Sequence, residues 1–181
     1  MRIIAGKYKG KILNSFKLDT TRPTSDIVRS SLFNIIGDKI VDSDFLDLFG
    51  GTGACGIEAD SRSAKKVTIV DNNIESINLI NKNIKLVKSN IINVIRQDYD
   101  KYLSYCKDNK IKYDIIFIDP PYKSIFGENS LDYILNNNLV NDNGLIIWEH
   151  DKDKLQLLDK YANFNIRTKK YGIKYLTIFE I

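Results

Sequence analysis

The sequence of 181 residues is poor in the residue types that bind metals or form disulfides. It contains two cysteines, Cys55 and Cys106, and one histidine, His150. These three side chains are too few to complete a tetrahedral zinc site by themselves. We therefore predict no metal centre, and we expect both cysteines to be small buried or half-buried residues.

Long apolar runs are also missing. None approaches the roughly 20 residues that cross a bilayer, and the N-terminus lacks the apolar stretch of a signal peptide. These absences predict a cytoplasmic protein. No linker rich in Pro, Gly or Ser and no internal repeat divides the chain, and its hydrophobic content of 43% is enough for a core. We expect a single domain over residues 1–181, present as a monomer.

Positive charge is concentrated at the N-terminus. Residues 1–36 hold seven Lys or Arg against two Asp, whereas the remainder holds twenty against twenty-one acidic residues. Because clustered cations gain from neutralising phosphates, this segment is predicted to contact a polyanion. Tyr8 and Phe16 lie among the cations, and rings beside cations are typical of nucleic-acid contacts.

The same N-terminal region predicts a hairpin followed by a helix. Arg2–Ala5 and Lys11–Phe16 are short extended runs on either side of a glycine-containing turn. A helix with apolar residues at helical spacing follows, with Thr24 or Ser25 as its cap and Gly37 at its end. We therefore expect a basic extension in front of the main fold.

The extension covers residues 1–37, and from residue 44 to 181 apolar runs alternate with amphipathic segments. This alternation predicts an α/β fold with a mostly parallel seven-stranded sheet and an antiparallel C-terminal hairpin. The predicted strands are Phe45–Leu48, Lys66–Val70, Ile92–Arg96, Tyr113–Ile118, Leu145–Trp148, Phe164–Lys170 and Lys174–Glu180. The predicted helices are Ala54–Ser61, Ile74–Val87, Tyr99–Lys107 and Leu131–Asn136.

A glycine-rich loop follows the first of these strands. Its sequence, Asp47-Leu48-Phe49-Gly50-Gly51-Thr52-Gly53, lies where α/β sheets bind ligands. The pattern G-x-G-x-x-G begins at Gly51, and Asp71 ends the second strand twenty residues later. That combination is typical of dinucleotide binding, so an NAD oxidoreductase is one interpretation and an S-adenosylmethionine enzyme is the other.

Two carboxylates favour S-adenosylmethionine. Asp47 at the mouth of the loop would repel a pyrophosphate but suits the ammonium of a methionine. Asp98 can accept a hydrogen bond from an adenine amino group, whereas Asp71 could hold ribose hydroxyls in either fold. The predicted cofactor-binding residues are Asp47, Phe49, Gly50, Gly51, Thr52, Gly53, Asp71, Asn72, Asp98 and Asp119.

The apolar strand Tyr113–Ile118 delivers the tetrapeptide Asp119-Pro120-Pro121-Tyr122 to the same edge of the sheet. The carboxylate of Asp119 and the carbonyl of Pro120 can accept the two N–H bonds of an exocyclic amino group, which aims its lone pair at a methyl donor. The prolines hold that carbonyl in place, and the ring of Tyr122 can stack on an extracted base. We predict these four residues to be catalytic.

These segments together resemble the bacterial 16S ribosomal RNA guanine-N2 methyltransferases over nearly the whole chain. The similar segments are Arg2-Ile3-Ile4-Ala5-Gly6, Arg22-Pro23-Thr24, Asp47-Leu48-Phe49, Gly56-Ile57-Glu58-Ala59, Asp71, Asp98, Asp119-Pro120-Pro121-Tyr122 and Glu149. The resemblance implies a Rossmann-like class I S-adenosylmethionine-dependent methyltransferase fold. It also implies methylation of a guanine N2 in 16S rRNA, free or within an assembling or assembled 30S subunit.

The resemblance implies that Arg22, Thr24 and Arg29 line the base pocket or bind RNA phosphate, and Lys7, Lys9 and Lys11 are further candidate phosphate contacts. No predicted cofactor position lies in residues 1–17, so we expect that segment to bind RNA without supporting the cofactor site. Glu149 could orient pocket residues or end a strand, and His150 is expected at the surface. Two alternatives remain: an amino methyltransferase acting on DNA adenine or a protein glutamine, and a non-catalytic RNA-binding assembly factor.

Overall fold

The computed structural model describes residues 1–16, 23–121 and 124–181, with the backbone alone described at residues 23–25. The described helices are α1 (Pro23–Ile36), α2 (Ala54–Ser61), α3 (Ile74–Val87), α4 (Tyr99–Asp108) and α5 (Phe126–Asn136). The strands are β1 (Asp44–Asp47), β2 (Lys66–Asp71), β3 (Ile92–Arg96), β4 (Tyr113–Ile118), β5 (Val140–His150), β6 (Asn165–Tyr171) and β7 (Lys174–Glu180). Two 3-10 helices cover Gly37–Ile40 and Lys152–Tyr161.

The strands form one sheet in the order β3-β2-β1-β4-β5-β7-β6. Strands β1 to β5 run parallel, and β7 lies antiparallel to both β5 and β6. This arrangement confirms the predicted mostly parallel seven-stranded sheet with an antiparallel C-terminal hairpin. The order reverses between β1 and β4, and open α/β sheets bind ligands beyond the strand ends at such a reversal. The fold therefore points to the carboxyl edge of these two strands.

Helices cover both faces of the sheet. On one face, Phe117 and Ile147 belong to a buried cluster that also contains Leu32 of α1. On the other face, Ile118 and Trp148 pack in a second cluster with residues of α4 and α5. Side chains alternate between the two faces along each strand, and full burial of each large apolar side chain contributes about 1.5–3 kcal/mol. The two clusters hold the strand ends in fixed relative positions.

The N-terminal segment turns back on itself, but the two predicted strands are wrong. Its two arms pair over a short stretch only, through one β-bridge between Arg2 and Ile12 and three backbone hydrogen bonds. The reason is that helix α2 takes up its backbone donors. The amides of Ile4 and Ala5 donate to the carboxylate of Glu58 at 2.8 and 3.0 Å. The segment is bound to a helix instead of forming a regular hairpin.

Apolar contacts reinforce this docking. Ile3 and Leu13 are buried against Ala54 and Ile57 of α2, and Val87 of α3 belongs to the same cluster. The segment is therefore an integral layer of the fold, and it is not a separate basic arm.

Other differences lie on the C-terminal half. Strand β5 is longer than predicted, and α5 begins at Phe126, five residues before the predicted start at Leu131. The 3-10 helix Lys152–Tyr161 was not predicted, because its charged sequence gives a weak apolar pattern. The expectation of a surface His150 is wrong: the residue is 4% exposed, and its imidazole Nε2 lies 2.7 Å from the hydroxyl of Thr177.

Within the described ranges, no helix combines the length and the apolar character needed to cross a membrane.

Candidate active site

The carboxyl edge of the sheet carries two adjoining cavities. The outer cavity has a volume of about 340 Å³, and the inner cavity has a volume of about 180 Å³. Phe49, Gly51 and Asp119 line both cavities. Other predicted residues line one cavity each. The outer cavity is lined by Asp71, Asn72, Pro120 and Pro121. The inner cavity is lined by Asp47, Gly50, Thr52 and Arg29. The fold thus brings residues from four distant parts of the sequence to one cleft.

The loop after β1 lets the backbone lie close to both the sheet and the cleft. Gly51 has φ of +53°, which favours glycine, and its amide donates to Oδ2 of Asp71 at 2.8 Å. At Gly50 a Cβ atom would lie 2.3 Å from Cγ2 of Ile69, so a larger residue would displace the loop. These glycines are required by the geometry of the cleft wall.

Asp71 anchors the loop from the end of β2. Its Oδ2 accepts the amide of Gly51, and its Oδ1 accepts the amide of Asn73 at 2.8 Å. Each carboxylate oxygen has a second lone pair, so Asp71 could also accept hydrogen bonds from a ligand in the outer cavity. The arrangement fits a diol such as a ribose.

Asp98 does not line the outer cavity, although sequence reasoning placed it there. Its side chain is 46% exposed, accepts a hydrogen bond from Nδ2 of Asn72 at 2.8 Å and pairs with Lys101 at 3.4 Å. The bond from Asn72, and then that from Lys101, lowers the pKa of Asp98. Its neighbours Gln97 and Tyr99 line the cavity instead. Asp98 therefore acts on the described cleft through Asn72.

An aromatic wall lines the outer cavity, and of its three rings only Phe49 was predicted from the sequence. The ring of Tyr99 lies 5.4 Å from that of Phe49 and 5.1 Å from that of Phe126, measured between centroids. All three line the outer cavity. Flat apolar rings around polar groups such as Gln97 suit a purine. The signal available in the sequence was the position of Tyr99, three residues after the end of β3.

Asp47 is buried at the base of the inner cavity, with 1% of its surface exposed. Its Oδ2 accepts the amide of Gly56 at 3.2 Å. Burial, followed by the nearby charge of Asp119, raises the pKa of Asp47 to about 7. A carboxylate in this position is stabilised by a cation, so the inner cavity favours a ligand with an ammonium group.

Asp119 directly follows β4, and Glu149 is the penultimate residue of the neighbouring strand β5. Both line the inner cavity, and burial raises the pKa of each carboxyl group, with the charge of Asp119 as a further cause at Glu149. Oε1 of Glu149 lies 3.9 Å from Nζ of Lys174, which also pairs with Asp151 at 3.3 Å. The cleft therefore presents two adjacent acceptors. Tyr122, the last residue of the predicted catalytic motif, lies outside the described residues.

Two of the predicted RNA-contacting lysines lie beside one ring: Nζ of Lys7 and Nζ of Lys11 are 5.1 and 5.3 Å from the centroid of Tyr8. Nζ of Lys7 pairs with Asp60 at 2.6 Å, and this hydrogen bond raises the pKa of Lys7. Nζ of Lys11 lies 3.4 Å from the carbonyl oxygen of Leu86, and Lys9 is exposed. Arg22 and the side chain of Thr24 lie outside the described part of the chain.

Arg29 faces the inner cavity and is 4% exposed. Its Nη2 donates to the carbonyl oxygen of Arg2 at 2.6 Å and to Asp26 at 3.0 Å. Its Nε has no hydrogen-bond partner among the described residues. This burial leaves Arg29 little surface for a phosphate backbone and makes it part of the cavity wall.

The expectation that residues 1–17 are independent of the cofactor loop is not supported. Met1 lines the inner cavity. Asn83, fully buried in α3, accepts the amide of Asn14 at 2.8 Å and donates to the carbonyl oxygen of Thr52 at 3.0 Å. One side chain thus links the N-terminal segment to the glycine loop.

Across residues 1–16, 23–121 and 124–181, no group of three or more His, Cys, Asp or Glu side chains is arranged to hold a metal ion. The two cysteines lie where expected, with Cys55 half-buried and Cys106 buried.

Comparison with known proteins identifies the family. A family model described as "Conserved hypothetical protein 95" matches residues 1–180. The ribosomal RNA small subunit methyltransferase D of Haemophilus influenzae is 36% identical over 156 residues, which cover 85% of this chain and 80% of that protein. A putative rRNA methyltransferase of Bacillus subtilis is 32% identical over 182 residues, covering 99% of this chain and 98% of the relative.

Solved structures agree with this assignment. The putative methyltransferase yhhF from Escherichia coli superposes with a TM-score of 0.84 at 29% identity, covering 99% of this chain and 97% of the other. The family resemblance inferred from the sequence is confirmed. The chain therefore belongs to the conserved hypothetical protein 95 family and is a relative of the bacterial ribosomal RNA small subunit methyltransferases D.

Proposed function

We propose that this protein transfers a methyl group from S-adenosylmethionine to the exocyclic N2 amino group of a guanine in 16S ribosomal RNA. The observation that carries the proposal is the position of Asp119 on the boundary between the two cavities. A donor with its adenosine in the outer cavity and its ammonium group at Asp47 would meet an acceptor base in the inner cavity at this side chain. The names of the relatives, which are ribosomal RNA small subunit methyltransferases, support RNA as the substrate.

The residues of the cleft fit S-adenosylmethionine in three places. Asp71 offers acceptors for ribose hydroxyls, and the wall of Phe49, Tyr99 and Phe126 offers a surface for adenine. Asp47, whose pKa is raised by burial and then by the charge of Asp119, would hold the ammonium of the methionine moiety. A pyrophosphate would be repelled by that carboxylate, which disfavours an NAD enzyme.

The bound sulfonium supplies an electrophilic methyl group. The carboxylate of Asp119 and the carbonyl of Pro120 accept the two N–H bonds of the guanine amino group and direct its lone pair at the methyl carbon. A new N–C bond forms as the C–S bond breaks, which leaves a neutral thioether. The nitrogen then loses one proton, and Asp119 is placed to accept it. Positioning and fixed charges are the main catalytic contributions.

The substrate surface includes the N-terminal segment. The exposed Lys9 and Lys11 remain candidates for phosphate contacts, whereas Lys7 is held by Asp60 and supports the fold. Action in the cytoplasm, as a monomer, on free 16S rRNA or on a 30S particle stays a prediction.

A methylation assay tests the proposal. Purified protein and labelled S-adenosylmethionine are incubated with unmodified 16S rRNA, with 30S particles lacking the modification, with DNA and with protein extract. We expect label in the rRNA or the 30S particle, and mass spectrometry of nuclease digests should identify N2-methylguanosine. Label confined to DNA or protein would contradict the proposed substrate, and no transfer to any of them would favour an assembly factor without catalysis.

A further inference from the structure

Among the described residues that line the inner cavity, Glu149 is the one acidic group for which the mechanism above gives no task. It is 13% exposed, and burying a carboxylate is costly unless a partner compensates it. Its contact with Lys174 is 3.9 Å long, and Lys174 is shared with Asp151. A ligand that donates a hydrogen bond to Glu149 would compensate for its burial.

The register of the sheet places Glu149 directly beside Asp119. Ile118 of β4 pairs with Trp148 of β5, so the next residues of the two parallel strands, Asp119 and Glu149, are neighbours. Adjacent strands lie about 4.8 Å apart, and paired residues of parallel strands point to the same face. Both carboxylates accordingly line the inner cavity.

This pair of acceptors distinguishes between nucleobases. The amino group of guanine lies beside N1–H, which is a donor. The amino group of adenine lies between the acceptors N1 and N7, and that of cytosine lies beside the acceptor N3. When the amino group of a base donates to Asp119, guanine presents its N1–H donor to the neighbouring carboxylate. Adenine or cytosine presents a ring nitrogen whose lone pair repels that carboxylate.

We infer that Glu149 is a specificity-determining residue, which accepts the N1–H of the target guanine while Asp119 accepts its amino group. The inference rests on the proposed function and names the group that selects the base. Arg29 supports the same assignment. It lines this cavity, and its buried Nε lacks a hydrogen-bond partner among the described residues, so it is available to donate to the guanine O6. The charge of Lys174 lowers the pKa of Glu149 against the raising effect of burial, and the contact restrains the position of the carboxyl group.

The test uses 2-aminopurine riboside, which carries the amino group of guanosine but has an acceptor at N1. Its fluorescence reports binding to the full chain saturated with S-adenosylhomocysteine, and unlabelled guanosine, inosine and adenosine compete for the site. The wild-type protein should bind guanosine and inosine more tightly than 2-aminopurine riboside and adenosine. If the wild-type protein binds all four nucleosides with equal affinity, this result alone overturns the inference.

The decisive variant is Glu149→Gln, because the amide can donate to the N1 of 2-aminopurine and can still accept the N1–H of guanosine. The ratio of the two affinities should fall at least about tenfold, the size of one lost base-reading contact. Glu180→Gln, a matched change on β7 opposite Leu145 and so at the other end of β5 from Glu149, should leave the ratio unchanged. If Glu149→Gln does not fold, Glu149→Asp takes its place. It should bind guanosine more weakly than the wild type does, with no increase in affinity for 2-aminopurine riboside.

An unchanged ratio in Glu149→Gln would show that Glu149 only supports the strand end, and it would overturn the inference. The proposed function has its own outcome, since it fails if the wild-type protein methylates no guanine in rRNA. A wild-type protein that methylates guanine and a variant with an unchanged ratio would reject Glu149 alone. The two claims can thus be separated with the same preparations.

Discussion

Single residues decide the electrostatics of the cleft, and Asp47 is the clearest case. Its carboxyl is buried, and desolvation raises its pKa to about 7. A carboxyl group whose pKa is higher in the folded than in the unfolded state binds more protons when folded at intermediate pH. Stability therefore falls as pH rises from about 4 to about 7, where Asp47 becomes charged. A bound cation would reverse this loss.

We therefore expect Asp47→Asn to raise the free energy of unfolding at pH 8 by roughly 1 to 3 kcal/mol, because the buried charge is removed. The same change should weaken binding of S-adenosylmethionine. Urea denaturation from pH 4 to pH 8, with and without cofactor, measures both effects. Asp108→Asn, at the exposed end of α4, is the control and should change neither. A variant less stable than wild type at pH 8 would show that the carboxylate is compensated inside the protein.

The sequence predicted the acidic and glycine positions because each follows an apolar run, where a strand must end. Asp71 and Asp119 were located in this way, and both line the cleft. It did not identify Gln97 and Tyr99 as lining residues of the outer cavity, because they differ from Asp98, which lies between them, only in the direction of their side chains. That direction depends on how the chain turns after β3, which residue order does not specify.

Among the elements, α3 links the N-terminal segment to the glycine loop. Asn83 hydrogen bonds the backbone and side chain of Asn14 on one side and the carbonyl of Thr52 on the other. The buried central strands were predicted well, because their short apolar runs fit a strand buried on both faces of a sheet. The N-terminal hairpin pairs over a shorter stretch than predicted, because Glu58 and Ser61 of a distant helix accept some of its backbone amides.

Asn83→Ala should lower the free energy of unfolding by about 2 to 3 kcal/mol, because it leaves buried amide and carbonyl groups without partners. It should also weaken cofactor binding, since Thr52 belongs to the loop that lines the inner cavity. Urea denaturation and calorimetric titration with S-adenosylmethionine measure these effects. Asn78→Ala, on the exposed face of the same helix, is the matched control. Equal stability of the two variants would refute the proposed link between N-terminal segment and loop.

For the whole molecule, the order of the strands creates the site. Asp47, Asp71 and Asp119 lie far apart in the sequence and meet because β2, β1 and β4 are neighbours in the sheet. The alternation of helices and strands predicts a parallel sheet and hence a shared carboxyl edge. It does not give the distance between two cavities or the pairing of Asp119 with Glu149, since those depend on register and on the packing of α1 and α2.

The assignment of the chemistry to Asp119 is tested by separating methyl transfer from cofactor binding in one variant. In Asp119→Ala, the rate of methyl transfer to unmodified 16S rRNA or 30S particles should fall at least about a hundredfold, as for loss of one aimed polar group. The dissociation constant of S-adenosylmethionine, measured by calorimetry, should stay within a few-fold of the wild-type value, because the ribose, adenine and ammonium contacts are made by other residues. Asp108→Ala should leave both quantities unchanged. Full activity of Asp119→Ala, or loss of cofactor binding in parallel with activity, would contradict a catalytic role at the boundary of the two cavities.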